Sequence, residues 1–120
     1  MLRLPVCSAT FPTSLNAALE VKAKHGSAAA YVAGGTDLYP NMKRRQQTPS
    51  VVIDLRGIPA LAELAVTAEG RLRIGAGVTL TRLIRNPVVR ERWPVLAQAA
   101  ASISTPILQN MGTVGGNLLL

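Results

Sequence analysis

Two glycine pairs, each placed where an apolar segment gives way to a polar one, constrain this chain more than any other feature. The first lies in Ala33-Gly34-Gly35-Thr36-Asp37 and the second in Thr113-Val114-Gly115-Gly116-Asn117. Lacking a Cβ, glycine lets the backbone bend sharply and bring its N–H groups close to a ligand. Successive N–H groups in such bends form concavities that bind anions. Two of them within 120 residues point to a ligand with more than one phosphate.

The remaining composition narrows the class. Hydrophobic residues make up 48% of the chain, mostly Ala, Val, Leu and Ile, while the aromatic residues are only Phe11, Tyr31, Tyr39 and Trp93. An aliphatic core of this kind suits an α/β or α+β enzyme domain. It suits single-strand nucleic-acid binding poorly, because that function stacks bases on rings. The net charge of +7 comes from 13 basic and 6 acidic residues. Apart from Lys43-Arg44-Arg45 the basic residues are scattered, which reads as solvated surface, and no nucleic-acid recognition module is visible. A basic nucleic-acid binder would show steeply salt-dependent binding; no nucleic-acid partner is expected. The single cysteine, Cys7, allows no internal disulfide and no cluster built from this chain's thiols alone. No apolar run reaches the roughly 20 residues of a membrane span. The expected setting is reducing and cytoplasmic.

Along the chain, Leu15, Ala18, Leu19 and Lys22 mark a helix that Thr13 or Ser14 caps and Gly26 ends. Ala28–Ala33 reads as a buried strand leading into the first glycine bend. Asp37 is placed to cap a helix through Leu38, Met42 and Arg45, with Pro40 in its first turn. Val51–Leu55 is a second buried strand, and Asp54 at its end is placed to cap the turn that follows. Ala62–Thr67 and Arg71–Ile74 form a hairpin around Glu69-Gly70. Thr79 caps a helix that Asn86-Pro87 stops. Trp93-Pro94 opens another through Leu96, Ala97, Ala100 and Ile103, and Thr105-Pro106 begins a short turn ending at Gly112. Gly75-Ala76-Gly77-Val78-Thr79-Leu80 starts like a dinucleotide fingerprint but lacks the third glycine, so it reads as a tight strand-to-helix turn. No nucleophile–base pair stands out. His25 and Lys43 read as surface residues.

Four segments together carry a resemblance. They are Ala33-Gly34-Gly35-Thr36-Asp37-Leu38, Val52-Ile53-Asp54-Leu55, Ile74-Gly75-Ala76-Gly77-Val78-Thr79, and Asn110-Met111-Gly112-Thr113-Val114-Gly115-Gly116-Asn117-Leu118. The chain resembles the FAD-binding medium subunit of the molybdenum hydroxylase family, to which xanthine dehydrogenase and carbon monoxide dehydrogenase belong. Trp93-Pro94-Val95-Leu96-Ala97-Gln98-Ala99-Ala100 draws the likeness toward the β subunit of the 4-hydroxybenzoyl-CoA reductases.

The resemblance implies an α+β, two-subdomain FAD-binding fold of the molybdopterin dehydrogenase type. Residues 1–57 would form a small N-terminal α/β subdomain, and 58–120 the start of a second, antiparallel-sheet subdomain. It implies FAD held by Ala33, Gly34, Gly35, Thr36, Asp37 and Leu38 and by Thr113, Val114, Gly115, Gly116 and Asn117. Both glycine segments would offer backbone N–H groups to the diphosphate. Asp37 would serve as a helix cap turned away from the ligand. Neither a catalytic residue nor a metal ligand is expected on the chain, because the flavin supplies the chemistry. Molybdopterin and iron–sulfur clusters would lie on partner subunits or beyond residue 120. The partners implied are a molybdopterin-binding large subunit and a two-iron two-sulfur small subunit. Family members continue past the second glycine segment, so residues 1–120 alone are expected to hold FAD weakly or not at all. A non-catalytic nucleotide-binding or subunit-interaction module with the same fold is the alternative.

Overall fold

The computed structural model describes residues 2–120, which divide into two compact units, one closing at Ala60 and the other spanning Leu61–Leu120. The first unit is a three-stranded parallel sheet with two helices. Strand β1 (Ser8–Thr10) leads to helix α1 (Leu15–His25), then β2 (Ala29–Val32), α2 (Leu38–Lys43) and β3 (Val51–Asp54). The strand order is β1-β3-β2. Parallel neighbours need crossover connections, and α1 and α2 supply them. Ser8 pairs with Val51 on one side of β3, and Ala29 with Val51 and Val32 with Asp54 on the other. All four residues of β3 are buried: the apolar run Val51-Val52-Ile53, as expected of a central parallel strand, and the carboxylate Asp54 at its end.

Local chemistry sets the ends. Ser14 caps α1 by accepting the Ala17 N–H at 3.1 Å. Gly26 closes α1 at φ +55°, and its N–H bonds the Lys22 carbonyl. Lys22 reaches past that end and donates from Nζ to the carbonyls of Gly26 and Ala29, at 2.9 and 2.6 Å. Side chains alternate across a strand, so Val52 and Asp54 of β3 share a face with Val32 of β2. That face packs on α2, where Val32, Val52 and Met42 form a core cluster flanked by Cys7, Leu38 and Tyr39.

The second unit opens with a hairpin, β4 (Leu64–Val66) against β5 (Leu72–Ile74), antiparallel with Leu64 opposite Ile74. The turn closes through the Gly70 N–H to the Thr67 carbonyl at 2.9 Å, with Gly70 at φ +78°. Five short helices follow: α3 (Leu80–Arg85), α4 (Pro87–Arg92), α5 (Pro94–Ala101), α6 (Pro106–Gln109) and α7 (Val114–Leu118). Their core is Val78, Leu80, Leu83, Val89, Ala97 and Ala100, covered by partly buried side chains that include Leu72, Ile74 and Trp93. The two alanines let α5 lie close against α3.

Two expectations change here. Asn86-Pro87 ends α3 as expected but also starts α4, which the sequence reading passes over. The Asn86 side chain accepts the Val89 N–H at 3.0 Å, and Pro87 occupies the first helical position, where a missing N–H costs nothing. The second glycine pair is not a free bend. Thr113 caps α7 by accepting the Gly116 N–H at 3.1 Å, which places both glycines inside the first helical turn.

Candidate flavin site

At the carboxyl end of the parallel sheet, the Leu55 N–H donates to the Val32 carbonyl at 2.8 Å, the last bond between β3 and the strand β2. Beyond it the chain enters the first glycine segment. Among the described residues, no acceptor takes the backbone N–H of Ala33, Gly34, Gly35, Thr36, Asp37 or Leu38. Pairing resumes only at Tyr39, which donates to the Gly35 carbonyl at 3.3 Å. None of the six residues is buried, so these donors stand open to solvent, and those at the start of α2 are the N–H groups any helix leaves free. The segment as a whole presents a continuous row of available donors. Gly35 makes the loop possible. It sits at φ +72°, and a Cβ there would run into the Tyr39 ring.

Asp37 departs from its expected role. It stands at the cap position of α2, but with φ −109° and ψ −50° rather than in the extended conformation, and its carboxylate makes no cap bond. It accepts instead from Asn41 Nδ2, one turn along, at 2.9 Å. The loop donors therefore stay free of this carboxylate as well.

The Thr113–Asn117 segment is different in kind. Val114 N–H donates to the Val78 carbonyl and Gly115 N–H to the Ala76 carbonyl, both at 2.9 Å, and Asn117 N–H to the Thr113 carbonyl at 3.1 Å. Gly116 N–H goes to the Thr113 hydroxyl oxygen. The expectation that this segment offers backbone N–H groups is corrected: from Val114 to Asn117 each is used inside the protein. The pair is needed for another reason. A Cβ on Gly115 would come within 2.7 Å of the Ala76 Cβ and 2.8 Å of its carbonyl oxygen, so only glycine lets α7 approach the Gly75–Gly77 turn this closely. The polar protons left to the segment are the Thr113 backbone N–H, the Thr113 hydroxyl and the second Nδ2 proton of Asn117.

The Arg56 side chain, at this same end of the sheet, escapes the sequence reading. Asp54, buried at the end of β3, accepts the Arg56 backbone N–H at 2.9 Å, as expected of a turn cap. It also grips the Arg56 side chain. Nε donates to both carboxylate oxygens, at 3.0 and 3.1 Å, and Nη2 donates to Oδ2 at 2.5 Å. The Arg56 hydrogen bonds hold the Asp54 carboxyl below the ordinary carboxylate range despite its burial, and Asp54 raises the guanidinium in turn. The signal available in the sequence was an acid and a base two residues apart at the end of a buried strand.

Residues 6–120 match the family described as FAD binding domain in molybdopterin dehydrogenase. The chain belongs to that family. This FAD-binding domain is 39% identical over 108 residues to the carbon monoxide dehydrogenase medium chain of Hydrogenophaga pseudoflava, covering 89% of the chain and 37% of that relative. It is 38% identical over 89 residues to the nicotinate dehydrogenase FAD-subunit of Eubacterium barkeri, covering 74% and 30%. Its fold matches the carbon monoxide dehydrogenase structure from H. pseudoflava with TM-score 0.93 at 35% identity, over 97% of this chain and 40% of that one. Quinoline 2-oxidoreductase from Pseudomonas putida 86 matches with TM-score 0.90 at 34% identity, over the same shares of the two chains. The domain thus has the mixed α/β flavin-binding architecture of the molybdopterin dehydrogenases, and it spans about a third of the length of the curated relatives it matches. Among the described residues there is no group of three His, Cys, Asp or Glu side chains able to hold a metal. Among the described residues no helix is long and apolar enough to cross a membrane.

Proposed function

We propose that this chain carries FAD in the electron-transfer subunit of a molybdenum-dependent oxidoreductase. The observation that supports it best is the run of unspent N–H groups from Ala33 to Leu38, at the carboxyl end of a parallel sheet, in a domain of this family. Ligands of open α/β sheets sit outside the carboxyl ends of the strands. A diphosphate accepts many hydrogen bonds, and donors fixed in advance bind it without costly reorganisation. In this reading Ala33, Gly34, Gly35, Thr36, Asp37 and Leu38 hold the diphosphate through the backbone. Thr113, Val114, Gly115, Gly116 and Asn117 form the second binding segment, acting through side chains and shape.

When bound, the flavin supplies the redox chemistry; the protein binds and orients it. The partners in this reading are a large subunit with molybdopterin and a small subunit with a two-iron two-sulfur cluster, in a cytoplasmic complex. A narrower assignment, to a reductase of aromatic acyl-CoA thioesters of the 4-hydroxybenzoyl-CoA type, rests on the Trp93–Ala100 likeness alone. It is tested by assaying the assembled complex for reductive loss of the ring hydroxyl.

Equilibrium binding tests the flavin reading. FAD is titrated into the protein in its assembled complex, stripped of flavin, and into the Gly35→Val variant, with melting of both as a check on folding. Saturable one-to-one uptake is expected in the parent, with affinity at least about tenfold weaker in the variant, a loss on the order of one charge-assisted hydrogen bond. A parent complex that takes up no FAD refutes the reading.

A further inference from the structure

We propose that Arg56 is a direct ligand of the flavin diphosphate, held in a binding pose by Asp54; the assignment rests on the FAD reading above. Placement comes first. After the Leu55-to-Val32 bond, Ala33 and Arg56 leave neighbouring strands side by side at the same end of the sheet. Asp54 lies on the face of β3 that also presents Val52 and packs on α2, the face covered by Tyr39. The ring of Tyr39 in turn fills the space beside Gly35. The guanidinium that Asp54 holds is thereby set at the sheet end from which the donor loop leaves.

Donor accounting comes second. A guanidinium carries five N–H groups in a fixed fork. Asp54 takes the Nε proton and one from Nη2, leaving three, and Nη1 bonds nothing among the described residues. The Arg56 side chain is 56% exposed while the Asp54 side chain is 4% exposed. One edge of the fork is therefore anchored in the fold and the other faces outward, the arrangement in which a buried carboxylate orients a cation toward an anion.

Charge gives the third argument. The only charged side chain within the donor loop is Asp37, whose sign opposes a diphosphate. Lys43 ends α2 and is exposed. Arg56 provides the cation the loop lacks, in the planar geometry that suits two phosphate oxygens at once.

The test compares Arg56→Met and Arg56→Lys in the assembled complex, reading FAD affinity, the ³¹P resonances of bound flavin, and melting of the flavin-free protein. Arg56→Met is expected to weaken FAD about tenfold and to move the ³¹P resonances at saturation. Arg56→Lys is expected to recover part of the affinity. Unchanged FAD affinity in Arg56→Met overturns the proposal, as does weakened binding with unmoved ³¹P resonances and a lower melting temperature, which marks a purely structural ion pair. If Gly35→Val loses FAD while Arg56→Met does not, only the Arg56 assignment fails. If the parent takes up no flavin, the reading beneath it fails as well.

Discussion

Replacing Gly115 by alanine separates two accounts of the second glycine pair. Helix propensity alone favours the change, because alanine exceeds glycine by about 1 kcal/mol in a helix interior. Part of that preference is the restricted unfolded chain, about 0.4–1 kcal/mol of it. The structure predicts the opposite sign. The new Cβ would meet the Ala76 Cβ at 2.7 Å, its carbonyl oxygen at 2.8 Å and its Cα at 3.1 Å. These are mostly backbone atoms that cannot rotate aside, so ordinary contact requires a shift of roughly 0.8 Å between α7 and the Gly75–Gly77 turn. That shift strains the Gly115-to-Ala76 hydrogen bond, now 2.9 Å. Overpacking of this kind costs about 1–3 kcal/mol, and weakening the bond adds about 0.5–1.5 kcal/mol. The net expectation is destabilisation of about 0.5–3.5 kcal/mol once the helix preference is subtracted. Gly116→Ala is the internal control. Its Cβ meets only the Thr113 hydroxyl oxygen, at 3.1 Å, while the propensity and unfolded-state terms are of the same kind. The difference between the two variants therefore isolates the Ala76 contact. Urea denaturation of both, with the slope held constant, gives that difference as a shift in midpoint. Gly115→Ala as stable as Gly116→Ala would refute the packing argument and return the pair to the role of a free bend.

Two further predictions follow from single groups. Asn86→Ala removes the cap of α4 and is expected to cost about 1 kcal/mol in the same denaturation assay; an unchanged midpoint would mean Pro87 alone sets that helix start. Asp54→Asn is expected to lower stability at neutral pH by about 1.5–3 kcal/mol, the scale of hydrogen bonds to a charged group. The folded Asp54 pKa is depressed, chiefly by the Arg56 side-chain hydrogen bond, so this contribution is fully present above the unfolded carboxylate pKa and lost as pH falls through the folded one. The gap between parent and variant should narrow on acidification in that window, and a gap independent of pH would exclude the ion pair as its source.

Much of the fold is legible in the sequence because local chemistry fixes it. Ser14, Thr79 and Gly26 act at the helix ends where their residue types belong, and the β-branched Val51-Val52-Ile53 run becomes the buried central strand. The site is less legible, and Asp37 shows why. A carboxylate before a helix reads as a cap, yet capping depends on φ and ψ at that residue, which here leave the side chain to Asn41. Asn86 fails to announce α4 because one residue both ends a helix and begins the next.

The two glycine segments carry the deeper lesson. As strings of letters they are equivalent: small residues, a threonine and a polar residue at an apolar boundary. Their difference lies in which N–H groups find acceptors, and acceptors come from distant parts of the chain. Val78 and Ala76 take the Val114 and Gly115 donors of the second segment, while among the described residues none accepts from Ala33 to Leu38. Glycine thus serves two opposed ends in one domain. At Gly115 its missing Cβ lets backbone meet backbone and consumes hydrogen-bonding capacity; at Gly35 it permits a loop that holds that capacity open. Affinity for a diphosphate should therefore respond steeply to substitutions in the first segment through misdirected donors, and to those in the second through displaced structure. Melting temperature and flavin affinity should fall in proportion for Gly115 variants, whereas Gly35 variants, strained at φ +72° and against the Tyr39 ring, should melt lower and lose more flavin affinity than that melting shift accounts for.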